Sequence, residues 1–198
     1  MTEEQGTSRR DRHVRAGRDT RPRAPTAVAT GRRGCDGWRV EADPTTLQGR
    51  QAVRAVVVDD AERVLLVRFR RPDGGAFWTT PGGGLERGES DVDALRRELR
   101  EEVGLVDPEI GPCVWTRDHS FVWHRTIRQL ERVYLVRIER HIEAPGVDLA
   151  AEGVDAVRWW TLDELAETPD ELAPRQLVPA LRDLLEGRIA DRPYDVGV

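Results

Sequence analysis

Four consecutive residues, Pro81-Gly82-Gly83-Gly84, constrain this chain more than any other stretch. A proline followed by three glycines cannot run through a helix or fill a core layer with side chains. It reads as a tight loop whose bare backbone another group can approach closely. Immediately downstream, residues 90–103 carry the clearest helical period in the chain, with Val92, Leu95, Leu99 and Val103 forming one apolar stripe. Ser90 suits the N-cap, Asp91 and Asp93 place negative charge at the positive end of the helix, and Gly104 suits its stop. On that helix Glu98, Glu101 and Glu102 share a face. Like charges at this spacing cost about 0.2–0.5 kcal/mol per pair, so three acids together call for a neutralising cation. An all-oxygen donor set favours a hard ion, Mg²⁺ or Mn²⁺, over zinc.

The elements around this segment alternate mostly as strands. Residues 52–58 and 64–69 are β-branched or aliphatic runs separated by the polar stretch 59–63, as in a hairpin. A Pro- and Gly-containing loop over 71–76 leads to the short run 77–80. Two strands are expected at about 114–123 and 130–138, and a third at 156–160. That third strand leads into a helix over 162–167 capped by Thr161. A last helix uses Leu177, Val178, Leu181, Leu184 and Leu185 and ends at Gly187. Strands without regularly alternating helices predict a mixed sheet with a few packed helices, an α/β (α+β) arrangement.

The first 48 residues have no usable periodicity and few large apolar side chains, so they read as a basic, disordered or loosely attached arm in which Trp38 and Val40 begin to pack onto the body. Residues 1–36 hold nine arginines against five acids, while the whole chain carries −5, so the body is acidic. An acidic body that handles phosphates needs divalent cations to do so. The globular domain is expected over 49–190, with 191–198 as a C-terminal tail. No run is long and apolar enough for a membrane span, and two cysteines, Cys35 and Cys113, are too few for a disulfide framework; the expected location is the cytoplasm.

Gly83, Glu89, Arg97, Glu98, Leu99, Glu101, Glu102, Gly104 and Leu105 together spell G-x5-E-x7-R-E-U-x-E-E-x-G-U, where U is aliphatic. The segment resembles the Nudix box with every specified position filled, and the approach from Trp78 to Glu89 resembles the family too. The likeness runs from about Gln51 to Gly187 and includes Val157–Leu165 as the usual ending of such a domain. It implies the Nudix α/β/α sandwich, a mixed sheet between helices, and a MutT-like hydrolase acting on acid anhydrides of phosphorus. It further implies metal ligation by Glu98, Glu101, Glu102 and the carbonyl of Gly82, with Glu89 and Arg97 paired in support of the loop and Gly83 and Gly104 shaping it. A carboxylate before the last strand often joins such sites; Glu152 is the candidate here, with Asp148 and Asp155 close by. The expected catalytic set is thus Glu98, Glu101, Glu102 and Glu152.

The box reads a pyrophosphate and leaves the rest of the substrate open. Bases stack on aromatic or guanidinium faces, which nominates Trp78, Trp115, Phe121 and Trp123, with Arg68, Arg70 and Arg117 near phosphate or ribose. Subgroup signatures of ADP-ribose-, NADH- and coenzyme A-type members are absent. The expectation is a pyrophosphohydrolase of a nucleoside diphosphate linked to another moiety. Its partner is a small nucleotide; a membrane is excluded, nucleic acid is disfavoured and homodimerisation is left open. The competing reading is a non-catalytic nucleotide sensor or nucleic-acid-binding module that uses the arginine arm. An RNA-directed enzyme holding its substrate with that arm is a third.

Overall fold

A computed structural model describes residues 49–71, 73–122, 126–139 and 153–197. Cys35, Trp38, Val40, Trp123, Asp148, Glu152 and the rest of the arm therefore lie outside the described residues. β1 (Arg50–Val58) and β2 (Val64–Arg70) form the expected hairpin. Its turn is tied by Asp59, whose carboxylate accepts from the backbone N–H groups of Ala61 and Arg63 at 3.0 and 2.9 Å. The two strands pair only near this turn, at Val57↔Leu65 and Val58↔Val64. Beyond it they part company. β2 takes β3 (Ala76–Thr79) and β7 (Val154–Trp160) as partners, while β1 pairs with β4 (Gly82–Gly84) and, in parallel over its whole length, with β6 (Thr126–Arg137). β5 (Cys113–Val122) continues the sheet beyond β6, and the short parallel strands β8 (Glu171–Ala173) and β9 (Tyr194–Asp195) close its two edges.

Helices cover both faces of this mixed sheet. α1 (Asp91–Val103) buries Leu95 and Leu99 against Val53, Ala55 and Val57, each Leu worth about 1.5–3 kcal/mol of burial. α2 (Leu162–Glu167) and α3 (Leu177–Leu185) pack on the opposite face with Val56, Val58, Trp115 and Trp160. Alternation along β1 sends Val53, Ala55 and Val57 to α1 and Val56 and Val58 to α2 and α3. Caps fall where residue chemistry places them. Ser90 accepts from the Asp93 N–H, Gly104 ends α1 at φ 67°, and Thr161 with Glu164 forms a reciprocal capping box. The arrangement is the layered mixed sheet that the sequence pattern predicts.

Two details differ from the sequence reading. Gly82–Gly84, expected as a loop, is a strand whose register Ala52↔Gly84, Val53↔Gly83 and Arg54↔Gly82 ties it to β1. The segment set apart as a tail carries β9 and buries Val196 in the core. Strands of two or three residues carry no hydrophobic period to read. Among the described residues no helix is long and apolar enough to cross a membrane.

Candidate active site

The glycines of β4 explain how acids on α1 reach past the sheet. The Gly82 N–H donates to Glu102 Oε2 at 2.7 Å. Gly82 has φ +131°, and a Cβ there would stand 2.3 Å from the Val53 carbonyl oxygen. At Gly83 a Cβ would stand 2.5 Å from Glu98 Cδ and Oε1. The missing side chains are thus the space that the Glu98 carboxylate occupies. Arg97 ties this corner together. Its Nε and Nη2 donate to the two oxygens of Glu89, both at 3.0 Å, and Nη2 also reaches the Gly84 carbonyl at 3.0 Å. Its Nη1 donates to Glu98 Oε1 at 2.8 Å and Glu101 Oε2 at 3.2 Å. The Arg97 hydrogen bonds hold the Glu89 carboxyl below the usual carboxylate range. Burial pushes the Glu98 carboxyl up, only partly offset by Arg97 and reinforced by the Glu101 charge.

Where β1 and β2 diverge, a cleft of about 450 Å³ opens. Phe69, Phe77 and Thr79 line it from the β2 and β3 arm, with Glu98, Glu102, Gly82 and Gly83 from the box. From the other arm come Arg54 on β1, Gln129 and Glu131 on β6, and Arg117, His119 and Phe121 on β5. Their placement follows from register: Arg117 lies opposite Glu131 and His119 opposite Gln129, so alternate residues of neighbouring strands form one polar face. Glu131, 1% exposed, sits at its centre. Glu131 Oε1 accepts from Arg54 Nε and from Gln129 Nε2, both at 2.7 Å, and Oε2 stands 3.5 Å from Arg117 Nη1. Burial opposes the charge of Glu131, but the Arg54 and Arg117 guanidinium groups hold its carboxyl well below the usual range. Arg54 then reaches the box, its Nη1 donating to the carbonyls of Thr80 at 2.7 Å and Gly82 at 3.2 Å.

The expected site residues divide accordingly. Glu98, Glu102, Gly82, Gly83 and Phe121 line the cleft, and Glu89, Arg97 and Gly104 frame α1. Glu101 does not line it; its side chain is 46% exposed and turned to Arg97. Trp78 and Trp115 are core residues instead of a stacking platform. Trp78 packs edge-on against Trp160, 5.1 Å between centroids, and donates from Nε1 to Asp170 at 2.9 Å. Arg68 is occupied by Asp155 at 2.7 Å and lies over Trp78, outside the cleft lining. Arg70 shares the same carboxylate at 2.6 Å. The buried set Arg54, Glu131, His119 and Gln129 was missed. His119, Gln129 and Glu131 stand among the polar residues of the strands 113–122 and 126–137, without a regular alternation that would tell a buried wall from a solvated face.

The donors fit a hard dication: Glu98 and Glu102 are carboxylates lining the cleft beside the Gly82 carbonyl, and burial of Glu98 is relieved by positive charge. Among the described residues no three acidic, imidazole or thiol side chains already converge as a metal cage. The reason is visible in the bonds above, since Arg97 draws Glu98 and Glu101 and the Gly82 N–H draws Glu102.

An α1 that presents glutamates through a glycine strand to a cleft in a mixed sheet defines a Nudix fold, and comparison agrees. The NUDIX domain profile matches residues 49–181, and the chain belongs to the Nudix family. It is similar to the MutT NUDIX hydrolase of Burkholderia pseudomallei, 28% identical with a TM-score of 0.52, over 69% of this chain and 98% of that one. The NUDIX domain of Shewanella oneidensis NrtR, complexed with ADP ribose, is 25% identical with a TM-score of 0.55, over 73% and 94% of the two chains. An RNA pyrophosphohydrolase of Ruthia magnifica subsp. Calyptogena magnifica is 45% identical over 56 residues, 28% of this chain and 30% of that protein. The match thus spans under a third of that relative's length. Members of the family generally use divalent metal ions.

Proposed function

We propose that this protein hydrolyses the diphosphate bond of a nucleoside diphosphate linked to another moiety, with Mg²⁺ or Mn²⁺ as cofactor. The carrying observation is the cleft itself, which sets Glu98 and Glu102 against the arginines of the facing arm. Glu98, Glu102 and the Gly82 carbonyl would hold the cation, which when bound neutralises phosphate oxygens and lowers the pKa of water. Arg54, held by Glu131 and the Thr80 carbonyl, presents positive charge beside the box for an anionic diphosphate, and its Nη1 would release the Gly82 carbonyl to the cation. Arg97 and Glu89 keep the glycine strand against α1, so that the acids stay in place as charge builds on the substrate. Phe69 and Phe77, stacked at 5.9 Å between centroids, offer an apolar wall to the nucleoside.

The test is a panel of ADP-ribose, sugar nucleotides, dinucleoside polyphosphates and normal and oxidised deoxynucleoside triphosphates, assayed with Mg²⁺ or Mn²⁺. Turnover of one class, abolished in Glu102→Gln while the variant still folds, is expected. Binding without turnover across the panel would instead favour a nucleotide sensor, and turnover unaffected by Glu102→Gln would remove the box from the mechanism.

A further inference from the structure

The end of the cleft remote from the box has its own unbalanced chemistry. In sheet order β4, β1, β6 and β5 are successive neighbours, so β5 lies three strand spacings, about 14 Å, from the strand that carries Gly82. Among the β5 side chains that line the cleft are Arg117 and His119, 9% and 11% exposed. Both oxygens of Glu131 face them, yet Oε1 already accepts short bonds from Arg54 and Gln129. The His119 Nε2 stands at ion-pair distance from that oxygen, 3.5 Å, without making a well-directed hydrogen bond to it. That nitrogen is buried without a hydrogen-bond partner among the described residues. A buried unsatisfied nitrogen next to a cleft is best accounted for by something that enters the cleft.

Charge sets what enters. Glu131 pairs closely with Arg54, on which Glu98 and Glu102 also act, so Arg117, 3.5 Å from Glu131, is the less closely paired cation at this end of the floor. Asp195 acts on Arg117 from β9 but is exposed to solvent. Burial, together with the repulsion of Arg54, holds the Arg117 guanidinium below its ordinary value, so an anion would be welcome beside it. His119 is kept in place by stacking on Phe121, 5.5 Å between centroids and 25° between planes.

Building on the hydrolase reading, we propose that Arg117 and His119 form a second anion subsite, which takes a phosphate or carboxylate carried by the substrate beyond its scissile diphosphate. The subsite selects among substrates that the box treats alike, because the box meets only the diphosphate they share. The discriminating residue is His119, and Arg117 supplies the charge.

The test pairs substrates that differ only in the distal acid, using the full chain. ADP-ribose against its 2′-phosphate probes a phosphate source, and UDP-glucose against UDP-glucuronate probes a carboxylate. In one of these pairs the acidic member is expected to have a KM at least about 10-fold lower in the unmodified protein. His119→Gln and His119→Ala should erase that preference, raising the KM of the acidic member to that of its neutral counterpart. Equal effects on both members of each pair, or no effect on either, would overturn the proposal. Should the unmodified protein turn over none of the four, the hydrolase reading is decided by the wider panel, and inorganic phosphate decides the subsite alone. Millimolar phosphate should then shift the imidazole resonance that His119→Gln removes, and an unmoved resonance would refute it.

Discussion

Replacing each of two adjacent glycines by alanine should give opposite phenotypes, because their Cβ atoms would meet different things. At Gly82 the new atom meets backbone, 2.3 Å from the Val53 carbonyl oxygen and 2.7 Å from Arg54 Cα, on a residue held at φ +131°. Neither neighbour can swing away. Positive φ costs about 1–3 kcal/mol for a residue with a side chain, and forced overpacking about 1–3 more. Gly82→Ala should therefore lose about 4 kcal/mol, out of a total of about 5–15 for an ordinary domain. At Gly83 φ is not positive, and the new atom meets the end of a flexible side chain, the Glu98 carboxylate at 2.5 Å. Glu98 can rotate out, losing its 2.8 Å bond from Arg97 Nη1, at a cost of about 1–3 kcal/mol. The stiffer unfolded chain returns about 0.4–1 kcal/mol. Gly83→Ala should thus lose only about 1 kcal/mol of stability while moving a cleft-lining acid.

The expected signature is separation of stability from activity. At about 2–4 °C per kcal/mol, Gly82→Ala should melt about 6–12 °C below Gly83→Ala. Gly83→Ala, still folded, should lose on the order of 10²-fold in metal-dependent turnover through displacement of preorganised charge. Differential scanning fluorimetry and a pyrophosphate- or phosphate-release assay with titrated Mg²⁺ read the two axes. Coincident melting points, or wild-type turnover by Gly83→Ala, would show that Glu98 does not depend on the bare strand beneath it.

Three further outcomes follow from the same geometry. Glu131→Gln leaves Arg54 and Arg117 buried without their shared counter-charge and should cost about 3–5 kcal/mol in urea denaturation, with Glu131→Gln/Arg117→Gln recovering part of it. Because the Glu131 carboxyl is held below its unfolded value, the unfolded chain binds more protons in the acid range. The stability Glu131 contributes is present above the ordinary glutamate range and fades as pH falls through the folded value, so stability against pH should rise more gently in Glu131→Gln across that acid window. Arg97→Lys cannot reproduce the paired bonds to Glu89 or the bond to Gly84, and should raise the Mg²⁺ concentration for half-maximal turnover several-fold while lowering the melting point by a few degrees.

What could be read from residues alone was whatever rests on local chemistry. Ser90, Gly104 and Thr161 mark helix ends because capping needs only neighbours in sequence, and the stripe Leu95, Leu99 and Val103 marks the buried side of α1 for the same reason. The Arg97–Glu89 pair followed from the resemblance to the Nudix box, and its two bonds are present in the fold. The facing wall was not legible. Arg54 meets Glu131 across 77 residues and Arg117 meets Glu131 through cross-strand register, neither of which leaves a periodic trace. Tryptophans misled for a related reason. Trp115 and Trp78 look like stacking surfaces by residue type, yet the largest apolar side chains gain most from the core. The cleft itself arises because β1 exchanges its partner, pairing with β2 for two residues and then with a strand of three glycines. A side-chain-free strand admits the acids of α1 on one side, and the divergence of β2 makes room for a ligand on the other. The glycines therefore do two things at once, and the second depends on a pairing choice that only the folded sheet reveals.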